Sequence, residues 1–284
     1  MTSIDYPVGA SVWQELRVRS AEGLAGFYRA VLGLELRLEG DRGFLELGGE
    51  RVAGVLVDPS LPDGEIGWHV FLGAEDLGAA VDRAVAAGAT VQRAPEPMLI
   101  AGEAAWLLDP FGAPFGLAVP AEGQAVPVSA ELGRMVLVDP TNHDLEAQIA
   151  FQQALFPDSV PDPAVPHEVC FFRDASGLAL RGSYEVAEEA RQFLPPHWLP
   201  WFAVADQAAA VDAAAGAGGA RTGRRAAGAG VAARGAGRRI AASRARRGSA
   251  AGNAARRAYG AAGGPRPAID RRQRAAREDH QGGH

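Results

Sequence analysis

Hydrophobic and polar residues alternate with a period of two over residues 11–18, which predicts a β-strand with two unlike faces. One face is apolar, and the other carries one aromatic and two charged side chains. The apolar face contains Val12, Leu16 and Val18, and the opposite face contains Trp13, Glu15 and Arg17. The strand therefore brings together, on one face, three side chains that are able to contact a ligand.

A helical pattern follows, because apolar residues recur three and four positions apart over residues 24–31. Ser20 is the predicted N-cap of this helix, and Gly33 suits its C-terminal cap. Three short strands are predicted next, separated by glycine and aspartate clusters that favour turns. These strands cover residues 34–38, 44–47 and 52–57.

The same order of one strand, one helix and three strands recurs after residue 67. Asp76 is the predicted N-cap of the second helix, and Gly88 marks its end. The segment Asp109-Pro110-Phe111-Gly112 has aspartate, proline and glycine at the positions that a tight turn favours. The strands of this second unit are predicted at residues 68–72, 90–93, 104–108 and 115–119.

A larger repeat lies over these two units. Residues 151–156 repeat the aromatic pattern at the end of the first helix, and residues 198–206 repeat the start of the second unit. A stretch with little apolar pattern at residues 121–130 is a predicted linker. We therefore expect a first domain at residues 1–122 and a second, incomplete copy at residues 131–219.

Taken together, these features resemble the vicinal oxygen chelate superfamily, which includes glyoxalase I, bleomycin-resistance proteins and extradiol dioxygenases. The resemblance rests on the βαβββ order, on Phe27-Tyr28 in a helix ending at Leu32-Gly33, on the Asp76-to-Gly88 helix and on the Asp109-Pro110-x-Gly112 turn. The tandem arrangement, opened by Trp13-x-Glu15-Leu16, is similar to that of two-domain actinobacterial glyoxalase-like proteins. The resemblance implies an α+β fold of tandem βαβββ modules that form an incomplete barrel, with a truncated second copy.

The resemblance also implies where a metal would bind. Metal-dependent members use His or Glu at positions that correspond here, by spacing, to Trp13, Val55, His69 and Gly116. Of these only His69 can bind a metal, and Leu199 takes the place of His69 in the second copy. Because a stable mononuclear site needs three or four protein ligands, we expect neither a metal nor another cofactor.

Without a metal, the concave face becomes a groove with aromatic and polar side chains. The predicted groove residues are Trp13, Glu15, Arg17, Val55, His69 and Phe71. Such a surface suits a planar or amphipathic small organic molecule. Because the bleomycin-resistance branch binds and sequesters a drug in a metal-free groove, the resemblance implies small-molecule binding as the leading function.

An enzyme of the same superfamily is the alternative. It would be a lyase, isomerase or oxygenase in which His69 and Glu15 act as acid–base groups or recruit a metal. Each candidate also has a structural interpretation: Trp13 can be barrel packing, His69 a satisfied half-buried histidine, and Glu15 a salt-bridge partner of Arg17. The sequence leaves the question of catalysis open.

Three further residues could indicate a metal site. Alternation sends His167 and Glu168 to opposite faces of their predicted strand, which argues against such a site. Cys170 lies in an apolar run and is predicted to be a small buried residue. As the only cysteine, it also excludes an intrachain disulfide and a disulfide-built secreted scaffold.

The charge of the chain changes sign along its length. Residues 216–284 contain 16 arginines against three acidic residues, a net charge of +13, so the preceding residues carry −19 of the total of −6. Residues 220–284 have too few large apolar side chains for a core, and we predict that this basic Ala/Gly/Arg tail is disordered or frameshifted.

Three interpretations of the tail compete. It can be a basic arm that contacts the phosphates of a nucleic acid, which is the third candidate function of the chain. It can be a disordered segment that folds over the acidic body. It can also be translated out of frame, which the abrupt change of composition within a predicted domain favours. We expect nucleic-acid binding only if the first interpretation holds.

Localisation follows from what the sequence lacks. No segment approaches the roughly 20 apolar residues of a membrane-spanning helix. The first residues show no signal-peptide pattern. We therefore expect a cytoplasmic protein whose partner is a small organic molecule rather than a membrane, and a homodimer is left open.

Overall fold

The computed structural model describes residues 5–165, 169–192, 194 and 196–219. The predicted basic tail and the pair His167 and Glu168 lie outside the described residues.

The chain order matches two βαβββ modules followed by a third. The first module contains β1 (Ser11–Val18), α1 (Leu24–Leu32), β2 (Glu35–Glu39), β3 (Arg42–Leu47) and β4 (Glu50–Val57). The second contains β5 (Gly67–Gly73), α2 (Leu77–Ala86), β6 (Thr90–Pro97), β7 (Gly102–Leu108) and β8 (Pro114–Pro120). The third contains β9 (Met135–Asn142), α3 (Leu145–Leu155), β10 (Val160–Val165), β11 (Val169–Arg173) and β12 (Ala179–Glu185), and it is followed by β13 (His197–Phe202) and α4 (Gln207–Gly216).

These strands form two mixed sheets, which confirms the predicted α+β class. The first two modules make one eight-stranded sheet in the order β2-β3-β4-β1-β5-β8-β7-β6. In it β1 pairs in parallel with β4 and antiparallel with β5, so the two modules join through their first strands. The second sheet has five described strands in the order β10-β11-β12-β9-β13.

Aspartate N-caps begin three of the four described α-helices. The Asp76 carboxylate accepts a hydrogen bond from the Ala79 backbone N–H at 2.9 Å, as the sequence predicts. Asp144 and Asp206 occupy the same position at α3 and α4. A side-chain oxygen at this position satisfies a backbone N–H that has no partner within the helix.

The prediction that Ser20 caps α1 is wrong. The helix begins one turn later, with Gly23 as its N-cap at φ +78°. The Ser20 hydroxyl instead accepts a hydrogen bond from the Glu22 N–H at 3.1 Å, so it stabilises a local turn before the helix. Gly33 does end α1, at φ +72°, as predicted.

The Asp109-Pro110-Phe111-Gly112 turn is confirmed. The Gly112 N–H donates to the Asp109 carbonyl oxygen at 3.0 Å. The Asp109 carboxylate accepts from the N–H groups of Phe111 and Ala113. The turn thus joins β7 to β8.

One face of the eight-stranded sheet is covered by helices. Leu16, Tyr28 and Val55 belong to a buried cluster beneath α1. The cluster beneath α2 extends into the second sheet, where Phe115 stacks on Trp198 with ring centroids 5.6 Å apart. In addition, α1 packs against α4, α2 against α3, and β13 against β5. The two sheets therefore share one apolar core, and the opposite face of the first sheet is left for other contacts.

Among the described residues, no helix combines the length and the apolar character that a membrane crossing requires.

Candidate functional site

The face of β1 that turns away from the helices carries the three side chains predicted for it. The indole N–H of Trp13 donates to one Glu15 carboxylate oxygen at 3.2 Å. The Arg17 guanidinium donates to the other at 3.5 Å. The alternation prediction is thus confirmed for these three residues. Val12 is an exception: it joins the buried cluster of Trp13, because the register shifts by a bulge between Ser11 and Trp13.

Strand pairing extends this face across the sheet. In β5, His69 lies opposite Glu15, and Phe71 lies opposite Trp13. The Trp106 ring of β7 meets both side chains edge to face, 4.5 Å from Phe71 and 5.3 Å from His69 between ring centroids. We call this face of the first sheet the groove.

Val55 does not face the groove, and the prediction that it does is wrong. Parallel pairing sets Val55 opposite Leu16, and both side chains lie in the cluster beneath α1. The groove side of β4 is formed by Gly54 and Leu56, which are the neighbours of Val55 along the strand. A Cβ at Gly54 would lie 3.0 Å from the Trp13 ring, and Leu56 lines a cavity in the groove.

A segment between β6 and β7 covers the groove. We call residues 98–101 the cover segment. Ile100 is 4% exposed and packs in one cluster with Trp13, Phe71 and Trp106. Leu99 reaches across to β4, since its side chain would lie 2.7 Å from a Cβ at Gly54. The cover segment therefore separates the aromatic groove from solvent.

Beneath the cover segment lies a cavity of about 100 Å³. Phe71, Trp106 and Leu99 contribute apolar surface to it. Its charged lining residues are Glu15, Arg17, Arg42, Arg93 and Glu96. The cavity thus combines aromatic surface with three guanidinium and two carboxylate groups.

The guanidinium groups are arranged around one indole ring. The guanidinium carbons of Arg17 and Arg93 lie 3.8 and 4.1 Å from the Trp106 ring centroid. Such distances permit cation–π attraction. Arg17 is buried and pairs with Glu15 and Glu65, whereas Arg93 pairs with Glu96 at 3.2 Å in a half-exposed position.

Burial is the main influence on the titration of Arg17. Desolvation lowers the pKa of its guanidinium, and the Glu15 carboxylate opposes this shift. The Nε–H of Arg17 is buried and has no hydrogen-bond acceptor among the described residues. A buried donor without an acceptor costs free energy, so a cavity ligand with an acceptor near this group would be favoured.

His69 is a neutral imidazole at pH 7. Its Nε2 lies 2.9 Å from the Glu65 carbonyl oxygen, which can only accept, so Nε2 carries the proton. Burial lowers the pKa of His69 to about 4, with Arg17 and Arg93 adding to the effect. The Nδ1 atom is left as a buried acceptor without a partner in the described part of the chain.

Glu15 is a salt-bridge partner of Arg17, one of the two roles open to it from the sequence. Its two carboxylate oxygens are taken by Trp13 and Arg17. It therefore stabilises the position of Arg17 in the groove.

The groove residues do not fit a metal ion. No group of three or more His, Cys, Asp or Glu side chains in the described residues is arranged to hold one. A cation beside Glu15 would have to displace the Arg17 guanidinium, and His69 Nε2 is already bonded to Glu65. At Gly116, one of the positions that the resemblance implies by spacing, even a Cβ would lie 2.2 Å from the Phe71 ring.

The second sheet has a related but different face. Leu199 lies opposite Asp139, as His69 lies opposite Glu15. The indole N–H of Trp201 donates to the Asp139 carboxylate at 2.8 Å.

Cys170 is buried beside α3, and burial raises the pKa of its thiol to about 11, so the prediction of a buried apolar role is confirmed.

Sequence reasoning missed Trp106, Arg42, Arg93 and the cover segment. Trp106 falls within a strand that the sequence predicts, and its alternation with Ala105 and Leu107 was the available signal. No comparable signal marks Arg93, because β6 is irregular and its register with β7 shifts on both sides of this residue.

Known proteins are similar in sequence to the first two modules. Residues 14–118 match the family model described as "Glyoxalase-like domain". The protein named "Putative glyoxylase CFP32" from Mycobacterium tuberculosis (strain CDC 1551 / Oshkosh) is 32% identical over 121 residues, which are 41% of this chain and 46% of that protein. The homologue of the same name from Mycobacterium bovis matches equally. The chain thus spans less than half the length of the curated relatives it matches.

Two solved structures are also similar. The Mn(II)-bound glyoxalase from Novosphingobium aromaticivorans has a TM-score of 0.49 and 14% identity, over 63% of this chain and 62% of that one. A mutant of 4-hydroxymandelate synthase from Streptomyces coelicolor has a TM-score of 0.48 and 22% identity, over 75% of this chain and 76% of that one. Residues 14–118 of this chain are therefore similar in sequence to a glyoxalase-like domain.

Proposed function

We propose that the groove binds a small organic molecule in the cavity beneath the cover segment. The observation that carries the proposal is the cavity itself, in which the apolar rings of Phe71 and Trp106 meet the guanidinium groups of Arg17 and Arg93. Ligand sites typically combine mostly apolar surface with a few convergent polar groups. The volume of about 100 Å³ favours a molecule the size of a single substituted ring.

We also propose that the first two modules form one incomplete barrel within a domain at residues 1–122. Arg42 and Leu56 come from one half of the sheet order, and Arg93 and Trp106 come from the other half. Since residues from both halves line one cavity, the sheet curves around it. A second, incomplete domain at residues 131–219 is proposed on the repeated strand–helix order of β9 to α4.

The test fills the cavity without changing its charges. Ala104→Met adds a long side chain where Ala104 lines the cavity, and Ala94→Met makes the same change at an exposed position of the neighbouring strand β6. Binding of phenol, indole, benzamide and benzoate to the full chain would be measured by saturation-transfer NMR. We expect signals for at least one compound that Ala104→Met abolishes and Ala94→Met preserves. Equal signals in both variants, or none in the wild type, would contradict the proposal.

Catalysis by a lyase, isomerase or oxygenase mechanism has less support. His69 would have to act through Nδ1, because Nε2 is bonded to Glu65. Glu15 is paired with Arg17 and Trp13 rather than with His69. His69 is also outside the set of residues that line the cavity. An acid–base role would therefore depend on the Nδ1 atom of a histidine that does not line the cavity, and the Glu15 carboxylate would have to leave its present partners.

Nucleic-acid binding by the tail stays a prediction, since residues 220–284 lie outside the described residues. If the tail binds nucleic acid, a DNA-affinity column should retain the full chain in a salt-dependent manner, and truncation after Gly219 should abolish this retention. Retention that survives the truncation would contradict it.

A further inference from the structure

We propose that the groove selects a planar organic carboxylate, which replaces the Glu96 carboxylate at Arg93. This inference rests on the proposed function and names the chemical class of its ligand. Three arginines and two glutamates line the cavity, so its lining carries a net positive charge. An anion gains from such an environment, and the cover segment reduces the screening of the charges by solvent.

The Arg93–Glu96 pair indicates where the carboxylate would bind. A Glu96 carboxylate oxygen lies 3.2 Å from Arg93, and both side chains are close to two-fifths exposed, at 43% and 38%. Such exposed pairs contribute little free energy, so exchanging one carboxylate for another is easy. Glu96 itself lines the cavity, and it therefore acts as an internal carboxylate at the position that the ligand would take.

Arg17, unlike Arg93, is buried, and it would keep its present partners when a ligand binds. Its side chain is 5% exposed and is held by both Glu15 and Glu65. Its Nε–H is buried without an acceptor among the described residues. Arg17 thus supplies a fixed positive charge beneath the cavity, while Arg93 at the rim is free to exchange its partner.

The Trp106 ring defines the shape of the ligand. Both guanidinium groups lie about 4 Å from its centroid, and Phe71 meets it edge to face at 4.5 Å. A planar ring packs against such surfaces with little loss of conformational entropy. A guanidinium binds a carboxylate through two parallel hydrogen bonds, a geometry that a neutral amide cannot reproduce.

The experiment compares benzoate with its neutral analogue benzamide on the full chain at pH 7, by isothermal titration calorimetry. We expect the wild type to bind benzoate roughly ten-fold more tightly than benzamide, the effect of one charge-assisted hydrogen bond. Raising the salt concentration should weaken only benzoate binding. Equal affinities would overturn the carboxylate inference and leave the proposed function intact. Absence of binding by both compounds would overturn both.

Two substitutions that should change the affinity for benzoate in opposite directions make the test specific. Arg93→Gln should weaken benzoate binding roughly ten-fold, because it removes the charged donor. Glu96→Gln should strengthen it roughly three-fold, because it removes the internal competitor. Neither change should alter benzamide binding.

Arg37→Gln is the matched control, since it removes an exposed arginine on β2 that pairs with Glu35 and Glu46 and lies outside the cavity. It should leave the affinity for benzoate unchanged. If Glu96→Gln weakens benzoate binding, or if Arg37→Gln has the same effect as Arg93→Gln, the proposal that a ligand carboxylate replaces Glu96 at Arg93 is wrong. Circular dichroism of each variant checks that the fold is intact.

Discussion

The carbonyl oxygen of Gly9, just before β1, accepts a hydrogen bond at 3.2 Å from the guanidinium of Arg181 in β12. The same guanidinium donates to the side chain and carbonyl of Gln152 in α3 and to the Ser159 hydroxyl. It is fully buried without a described carboxylate among its hydrogen-bond partners. One arginine thus connects the start of the first sheet to the second sheet and its helix.

Truncation of this arginine should be strongly destabilising. Arg181→Ala would leave the Gly9 and Gln152 oxygens without their donors, and it would open a cavity between Phe156 and Phe172, whose rings flank the guanidinium. We expect a loss of about 3–5 kcal/mol in the free energy of unfolding. Urea denaturation followed by tryptophan fluorescence measures it.

The control is Arg29→Ala, which removes an exposed arginine from α1. It should change the free energy of unfolding by no more than about 0.5 kcal/mol. Similar losses for both variants would mean that Arg181 has no special role in joining the sheets.

Removal of the Asp76 cap should destabilise α2 by a smaller amount. Asp76→Ala deletes the acceptor for the Ala79 N–H, and we expect a cost of about 1 kcal/mol. Asp82→Ala on the same helix removes an exposed carboxylate that is not a cap, and it should cost far less. Thermal unfolding of both variants gives the comparison. A larger loss for Asp82→Ala would contradict the capping role.

The parts of the fold that the sequence predicted depend on local chemistry. The period-two pattern of β1 predicts the common face of Trp13, Glu15 and Arg17. The cap at Asp76 and the turn at Asp109 need only neighbouring backbone groups. Such features are encoded within a few residues, and the structure confirms them.

Apart from the local error at the Ser20 cap, the errors arose where distant segments decide the outcome. The face of Val55 depends on how β4 pairs with β1, and strand spacing alone does not define this register. Arg93 reaches the groove because β6 is irregular, and the cover segment matters because it folds over a sheet built from both modules. The lining of the cavity could therefore not be predicted in full from local patterns.

Gly116 tests how closely the groove is packed. A Cβ at this position would lie 2.2 Å from the Phe71 ring, so Gly116→Ala must displace that ring. We expect a loss of about 1–3 kcal/mol in the free energy of unfolding, together with weaker binding of any cavity ligand. Gly26→Ala in α1 has free space for the methyl group and should be neutral or stabilising. Urea denaturation of both variants measures the difference in stability. Equal stabilities would contradict the close packing of Phe71 against Gly116.

His69 links the groove to the pH dependence of stability. Burial lowers its pKa in the folded state to about 4, from an ordinary value of 6.5. Between these two values the unfolded chain binds a proton that the folded chain does not. Stability must therefore fall as the pH decreases through this range, and it must level off below the folded pKa.

We expect this residue to remove up to about 3 kcal/mol of stability as the pH falls from above 6.5 to below 4. His69→Gln keeps an N–H donor for the Glu65 carbonyl oxygen but cannot titrate, so this part of the pH dependence should disappear. Urea denaturation of both proteins at several pH values gives the difference, in which the contribution of titrating carboxylates cancels. Parallel curves for wild type and variant across this range would mean that His69 is not held neutral by burial in the groove.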